Sequence, residues 1–217
     1  YMHAVRELEH AFSFGAHGLC IMGSGDWNDG MNEVGVGGAG ESVWLSMFLA
    51  LCLRAFLPIC RRRGDGMGEE KYRSVLRRLE QSLAEYAWDE NWFLRGFYDD
   101  GAPLGKKGAY ACAIDLLPQA FAALLHRESA GTVFSTAQVK EALDSAIAKL
   151  FVPQRHLLRL LTPPFDRSER SAGYIGGYAP GVRENGGQYT HGAMFFLYAM
   201  FASGRNEEAT ALLFALT

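Results

Sequence analysis

Gly23-Ser24-Gly25-Asp26-Trp27-Asn28-Asp29-Gly30-Met31-Asn32 gathers two carboxylates, an indole and two amides, and Gly40-Glu41-Ser42-Val43-Trp44-Leu45 leads out of it. Seven glycines fall between Gly23 and Gly40, so this backbone can take turns that side chains forbid. Such a loop suits a sugar. Carboxylates move protons, an indole stacks on a pyranose face and amides read hydroxyls. The alternative is an Asp/Asn-rich turn in which Asp26 and Asp29 only cap backbone amides.

Outward from this loop the pattern is helical. The apolar run Val43 to Cys60 predicts a buried helix begun at Glu41-Ser42; with Arg54 and Pro58 inside it, it is short for a membrane span. It ends in Arg61-Arg62-Arg63, charges that suit a helix C-terminus, an anion site being the other reading. Upstream, Met2 to Phe14 has helical periodicity and stops at Gly15 and Gly18. Downstream, Gly64 to Gly68 reads as a hinge. Tyr72, Val75, Leu76, Leu79, Leu83 and Tyr86 then form the stripe of an amphipathic helix over Glu69 to Trp88. The aromatic stretch Asn91 to Gly101, ending in Asp-Gly, predicts a short hairpin that either lines a glycan or packs on helices. Ala109 to Leu125 reads as a helix in which Asp115 must find a partner or face a cavity. Another helix is expected over Ala137 to Phe151, with Thr136 as its cap.

Pro153 to Pro164 reads as extended. A Gly- and Tyr-rich loop through Gly173-Tyr174-Ile175-Gly176-Gly177-Tyr178 then ends in Arg183-Glu184-Asn185-Gly186-Gly187-Gln188-Tyr189-Thr190-His191. The last helices are expected from about Thr190 to Ser203 and from Glu207 onward to Thr217. Helices joined by long polar loops, with little strand, predict an all-α chain.

Of the 217 residues 49% are apolar, ample for a core, and a net charge of −3 argues against a nucleic-acid partner. Cys20, Cys52, Cys60 and Cys112 lack C-x-x-C spacing and sit in apolar runs, which favours free thiols in a reducing compartment over disulfides or zinc. No signal peptide is seen. The chain begins at Tyr1 and stops inside an apolar run, so a single partial domain over 1–217 is expected.

Two distant loops hold the chemistry: Asp26, Trp27, Asn28 and Asp29 in the first, and Arg183, Glu184, Asn185, Gln188, Tyr189 and His191 in the second. Carboxylates from different loops suit inverting glycoside cleavage, one as acid and one activating water. Where the nucleophile is already an anion such as phosphate, only the acid is needed, and Arg, His and backbone amides hold the anion. Arg183 and His191 suit that design, although a His at a helix start is often a cap or a core residue.

The first loop, the Gly40–Leu45 run and Tyr178 through His191 resemble glycoside hydrolase family 94, which holds inverting cellobiose, chitobiose and β-1,2-oligoglucan phosphorylases and the C-terminal region of cyclic β-1,2-glucan synthases. With Pro163-Pro164-Phe165-Asp166 ahead of it, the second motif is closest to the β-1,2-glucan branch. The resemblance covers nearly the whole chain and implies an (α/α)6 barrel, of which this is the C-terminal half. It implies that Asp29 is the general acid. Trp27, with Asn28 and Asp26, would bind the transferred sugar; Arg183 and Glu184, with Gln188, would lie by the acceptor, and His191 would bind phosphate. The expected reaction is inverting phosphorolysis of a β-glucoside, β-1,2-linked, giving α-glucose 1-phosphate. The alternatives are an inverting β-glucan hydrolase using Glu184 as base, or a glycan-binding fragment that does not turn over.

No metal or organic cofactor is implied, only inorganic phosphate as co-substrate. The other expected partners are a β-glucan and the rest of a parent polypeptide, with a homodimer of the full enzyme left open. The implied setting is cytoplasmic, either free or as the cytoplasmic part of a membrane-bound synthase. The family's β-sandwich, its phosphate-binding Arg and its Thr-Gly loop have no counterpart here. Ala111 and Ala113 stand around Asp115 where the branch carries Glu and Arg.

Overall fold

The computed structural model describes residues 1–166 and 170–216. The chain opens with α1 (Met2–His10), shorter than the expected Met2–Phe14, because Ser13 and Phe14 leave it to bond to Ile21 and Cys20. β1 (Cys20–Ile21) and β2 (Glu41–Ser42) flank the glycine-rich loop, and α2 (Val43–Arg63) follows directly. Glu41 and Ser42 thus form a strand before the helix rather than its first turn. Ser42 caps α2 by accepting from the Leu45 N–H at 3.0 Å. α2 ends at Gly64 in the left-handed region, with Arg61, Arg62 and Arg63 in its last turn.

α3 (Gly66–Tyr86) begins earlier than expected, because Asp65 accepts from the Gly68 N–H and starts the helix inside the supposed hinge. The aromatic stretch makes two hairpins: β3 (Trp88–Asp89) with β4 (Trp92–Phe93), and β5 (Gly96–Phe97) with β6 (Pro103–Leu104). The helix expected from Ala109 starts only after β7 (Ile114–Asp115), as α4 (Leu116–Glu128). Asp115 is its cap, accepting from the Leu117 N–H at 2.8 Å, and a residue that caps a helix cannot lie inside it. α5 (Thr136–Leu150) is capped by Ser135, not Thr136, through a reciprocal bond with Gln138. β8 (Phe151–Val152) follows α5 directly, taking Phe151 out of the expected helix, and β9 (Leu157–Leu158) and β10 (Leu161–Thr162) lie in the stretch expected to be extended, with a 3₁₀ turn at Pro153–Arg155. α6 (Thr190–Ala202) and α7 (Asn206–Ala215) close the description; residue 217 lies outside it.

The chain is mostly helical, but not purely so. Antiparallel two-residue strands order as β1-β2-β5-β6 in one sheet, with β7–β10, β3–β4 and β8–β9 as separate pairs. Among the described residues the helices do not close into a barrel. α2 packs on α3 and α4, α4 on α5 and α6, and α6 on α7. The main core fills these contacts with Leu53, Leu79, Leu83, Leu117, Leu143 and Phe196, all essentially buried. At 21 residues α2 outruns the expected Val43 to Cys60 and, contrary to the sequence reading, is long and apolar enough to cross a membrane, though about half of it is buried by its neighbours. A second, smaller core of Met22, Met31, Val34, Phe165 and Ile175 lies under the loops and is the floor on which the site is built. The cysteines are free thiols, three buried and Cys52 partly so.

Candidate active site

One buried guanidinium supports both loops. Arg95 has no exposed side-chain surface and grips Asp26 with two hydrogen bonds, at 2.6 and 2.7 Å. Its Nε faces Asp115 Oδ2 at 3.3 Å, which supplies the partner Asp115 needed. Ser42 Oγ donates to Asp26 at 2.6 Å while capping α2, so the start of the long helix and the first loop share one oxygen. The forked, fully charged pairing is the strong form of this contact. Burial alone would raise the Asp26 carboxyl, but Arg95 outweighs it and the carboxyl is held below the usual range. Asp115 goes the other way: burial outweighs Arg95 and pushes it up to about 6. Arg95 is pulled down by burial, yet the two carboxylates more than offset that and hold it above its ordinary value.

Asp26 therefore anchors the loop, and its carboxylate offers no free face to a sugar. Asn28 is likewise buried; its Oδ1 accepts from the Gly30 N–H and starts the 3₁₀ turn Asp29–Met31. Asp29, by contrast, is exposed on that turn. Above it lies a second 3₁₀ turn, Tyr174–Gly177, whose first N–H bonds to Asn32 Oδ1 at 3.0 Å. Gly173 has φ +121 at this junction, and a Cβ there would overlap Asn32 and sit 2.8 Å from the Gly30 carbonyl. The Tyr174 pKa is raised, first by desolvation and then by the neighbouring Asp29 carboxylate, with the Glu184 charge adding to it. Tyr174 therefore stands near Asp29 and Glu184.

The second loop is clamped from inside. Asn185 is fully buried: its Oδ1 accepts from Phe165 and its Nδ2 donates to the Phe165 and Tyr178 carbonyls. The Leu160 N–H bonds to the Gly187 carbonyl at 2.8 Å, hanging the loop from the strand pair that holds Asp115. Gln188 Oε1 is taken by the Leu158 N–H. Glu184 is buried and pairs with Arg183 Nε at 3.3 Å. Arg183, raised chiefly by Glu184, also lies over the Tyr178 ring at 4.8 Å.

The loops meet at Trp27 and His191. Although 164 residues separate them, the indole Nε1 donates to His191 Nδ1 at 3.0 Å. Tyr189 meets the indole edge-on with 5.2 Å between centroids, and Phe195 supports the imidazole at 4.5 Å. The structure thus places an exposed carboxyl, an indole and an Arg–Glu pair on the two loops and an imidazole in the first turn of α6. That set can protonate a leaving group, stack a sugar ring and bind an anion. Neither Arg95 nor Tyr174 was singled out from the sequence. A buried Arg cannot be told from a surface one by composition, and Tyr174 was visible only as part of a Gly/Tyr-rich loop.

Comparison with known proteins identifies the family. The family model described as "Glycosyl hydrolase 94 superfamily, catalytic domain" matches residues 1–217. The chain is 42% identical to "Cyclic beta-(1,2)-glucan synthase NdvB" of Rhizobium meliloti (strain 1021), over 96% of this chain and 7% of that protein. It is 35% identical to "3-O-beta-D-glucopyranosyl-beta-D-glucuronide phosphorylase" of Paenibacillus borealis, over 96% of this chain and 26% of that protein. It is 32% identical to "Solabiose phosphorylase" of the same organism, over 90% of this chain and 24% of that protein. The chain thus spans no more than about a quarter of these relatives' length.

Proposed function

This chain belongs to the glycosyl hydrolase 94 superfamily, and from that premise we propose that it carries the acid and one phosphate-binding side of an inverting β-glucan phosphorylase or synthase domain. The observation that carries the reading is the Trp27–His191 hydrogen bond, which joins the acid-bearing loop to the loop of the second motif. Phosphate oxygen attacks the anomeric carbon from the face opposite the glycosidic bond. That bond breaks with its electrons on the departing oxygen, and Asp29 supplies the proton. The products are α-glucose 1-phosphate and a glycan shortened by one unit. The run backwards is glycosyl transfer from the sugar phosphate.

Asp29 suits the acid because, unlike Asp26, it remains exposed, with Tyr174 beside it. Trp27 gives a flat apolar face for the transferred sugar, and Arg183 with Glu184 offers polar contacts to the acceptor. The β-1,2 linkage is proposed from the likeness to the glucan synthase. The helices are proposed as part of an (α/α)6 barrel whose other wall completes the phosphate site, and the setting as cytoplasmic.

Phosphorolysis is favoured over hydrolysis because Glu184 is buried and engaged with Arg183, which does not suit a base that must hold water. The test uses the full-length protein with β-1,2-glucooligosaccharides, with and without inorganic phosphate. Glucose 1-phosphate of α configuration, formed only with phosphate, is the expected result. Free glucose at the same rate in its absence would establish the hydrolase instead.

A further inference from the structure

We infer that Trp27 sets the tautomer of His191, so that the imidazole presents an Nε2–H donor to an oxyanion, which makes Trp27 a positioning residue as well as a sugar platform. An indole nitrogen carries a hydrogen and has no lone pair to offer, so it acts only as a donor. At 3.0 Å from Trp27 Nε1, His191 Nδ1 is the acceptor and bears no hydrogen. The hydrogen of the neutral ring then sits on Nε2. The opposite tautomer would set two N–H groups head to head and turn a nitrogen lone pair toward the anion.

Both rings are held for this purpose. The indole is buttressed edge-on by Tyr189, and its far edge lies over Gly192, where an added Cβ would come within 3.8 Å. The imidazole rests on Phe195. Trp27 is also two residues from Asp29, on a loop whose other side is tied to Arg95. One loop therefore supplies the proton for the leaving group and fixes the donor for the incoming anion. The anion's identity rests on the phosphorolysis proposed above; the tautomer does not.

The experiment is long-range ¹H–¹⁵N correlation spectroscopy on the full-length protein with ¹⁵N-labelled histidine, at alkaline pH where imidazoles are neutral. His191 is assigned by the signals lost in His191→Gln. The expected spectrum has Nδ1 as a bare, pyridine-type nitrogen and Nε2 as the hydrogen-bearing one. A hydrogen on Nδ1, or an average of the two forms, overturns the inference. In Trp27→Phe, which keeps an aromatic face but no donor, the two tautomers should average; an unchanged signature also overturns it. Should that variant not fold, the wild-type spectrum decides alone. Titration with inorganic phosphate should move the Nε2–H signal, and apparent affinity should fall roughly twofold in Trp27→Phe, since about half of the freed rings keep the hydrogen on Nε2. A locked tautomer whose signal ignores phosphate would uphold the role of Trp27 and refute His191 as a phosphate ligand.

Discussion

Replacing Arg95 by methionine removes the one cation between two buried carboxylates and keeps roughly the volume of its stem. At neutral pH the cluster holds Asp26, kept ionised by Arg95, and Asp115, whose pKa of about 6 leaves it mostly ionised as well. Without the guanidinium, two negative charges stay buried with no counter-charge. Breaking a buried pair in this way typically costs about 3–5 kcal/mol, and two orphaned carboxylates place this variant at the upper end. The loss depends on pH in a definite sense. In the variant both folded-state carboxyls are raised above their unfolded values, so the folded state binds more protons and its stability falls as pH rises. The deficit should therefore be largest near neutrality and shrink as pH falls toward 4. Arg95→Lys should be intermediate, since an ammonium keeps the charge but cannot fork onto Asp26 while facing Asp115. Denaturant unfolding of the full-length protein across this pH range measures each quantity. A deficit under about 1 kcal/mol at neutral pH, or one that grows on acidification, would refute the account of the cluster.

Three other substitutions probe separate links. His191→Ala should raise the KM for phosphate by roughly tenfold or more while that for glycan changes little, since a charge-assisted hydrogen bond contributes about 1.5–3 kcal/mol; equal losses for both substrates with a lower Tm would make His191 structural. Asp115→Asn retains the cap on α4 but has no carboxyl to ionise. Since burial raises Asp115 from 3.8 to about 6, wild type loses up to about 3 kcal/mol as pH rises through that window. The variant should match wild type below pH 4 and exceed it at neutrality, and parallel stability curves would contradict the burial argument. Gly187→Ala would put a Cβ 2.6 Å from the Arg183 carbonyl and 2.7 Å from that of Gly181. The second loop must then shift, and turnover should fall at least tenfold with only a small change in Tm; unaltered kinetics would show that the loop's position is not critical.

The helices were legible because burial repeats at helical spacing. Tyr72, Val75, Leu76, Leu79 and Leu83 are the buried residues of α3, as their spacing predicts. The two loops were legible as segments outside the regular helices, since seven glycines around Asp, Trp and Asn do not continue a helix, and the Trp27–His191 bond brings them together. The short strands were not, because a two-residue strand is too brief to show alternation. The start of α4 was misplaced for a related reason. Ala109 to Ala113 is as apolar as a helix, and only the side chain of Asp115, turned back onto the Leu117 N–H, reveals the boundary. Asp26 and Asp29 look equivalent in sequence, three residues apart and equally acidic. A guanidinium 69 residues away separates them, burying Asp26 in an ion pair and leaving Asp29 exposed. Long-range pairing of that kind leaves no local trace.

That difference leads to the most direct test of the central claim, that Asp29 is the proton donor. The measurement is kcat for Asp29→Asn in the full-length protein, on natural β-1,2-glucooligosaccharide and on an aryl glucoside whose leaving group departs without a proton. General acid catalysis is typically worth about 10²–10⁴-fold, so the natural substrate should slow by that much while the activated one retains most of its rate. Near-normal phosphorolysis of the natural glycan by Asp29→Asn, or an equal loss on both substrates, would contradict the assignment.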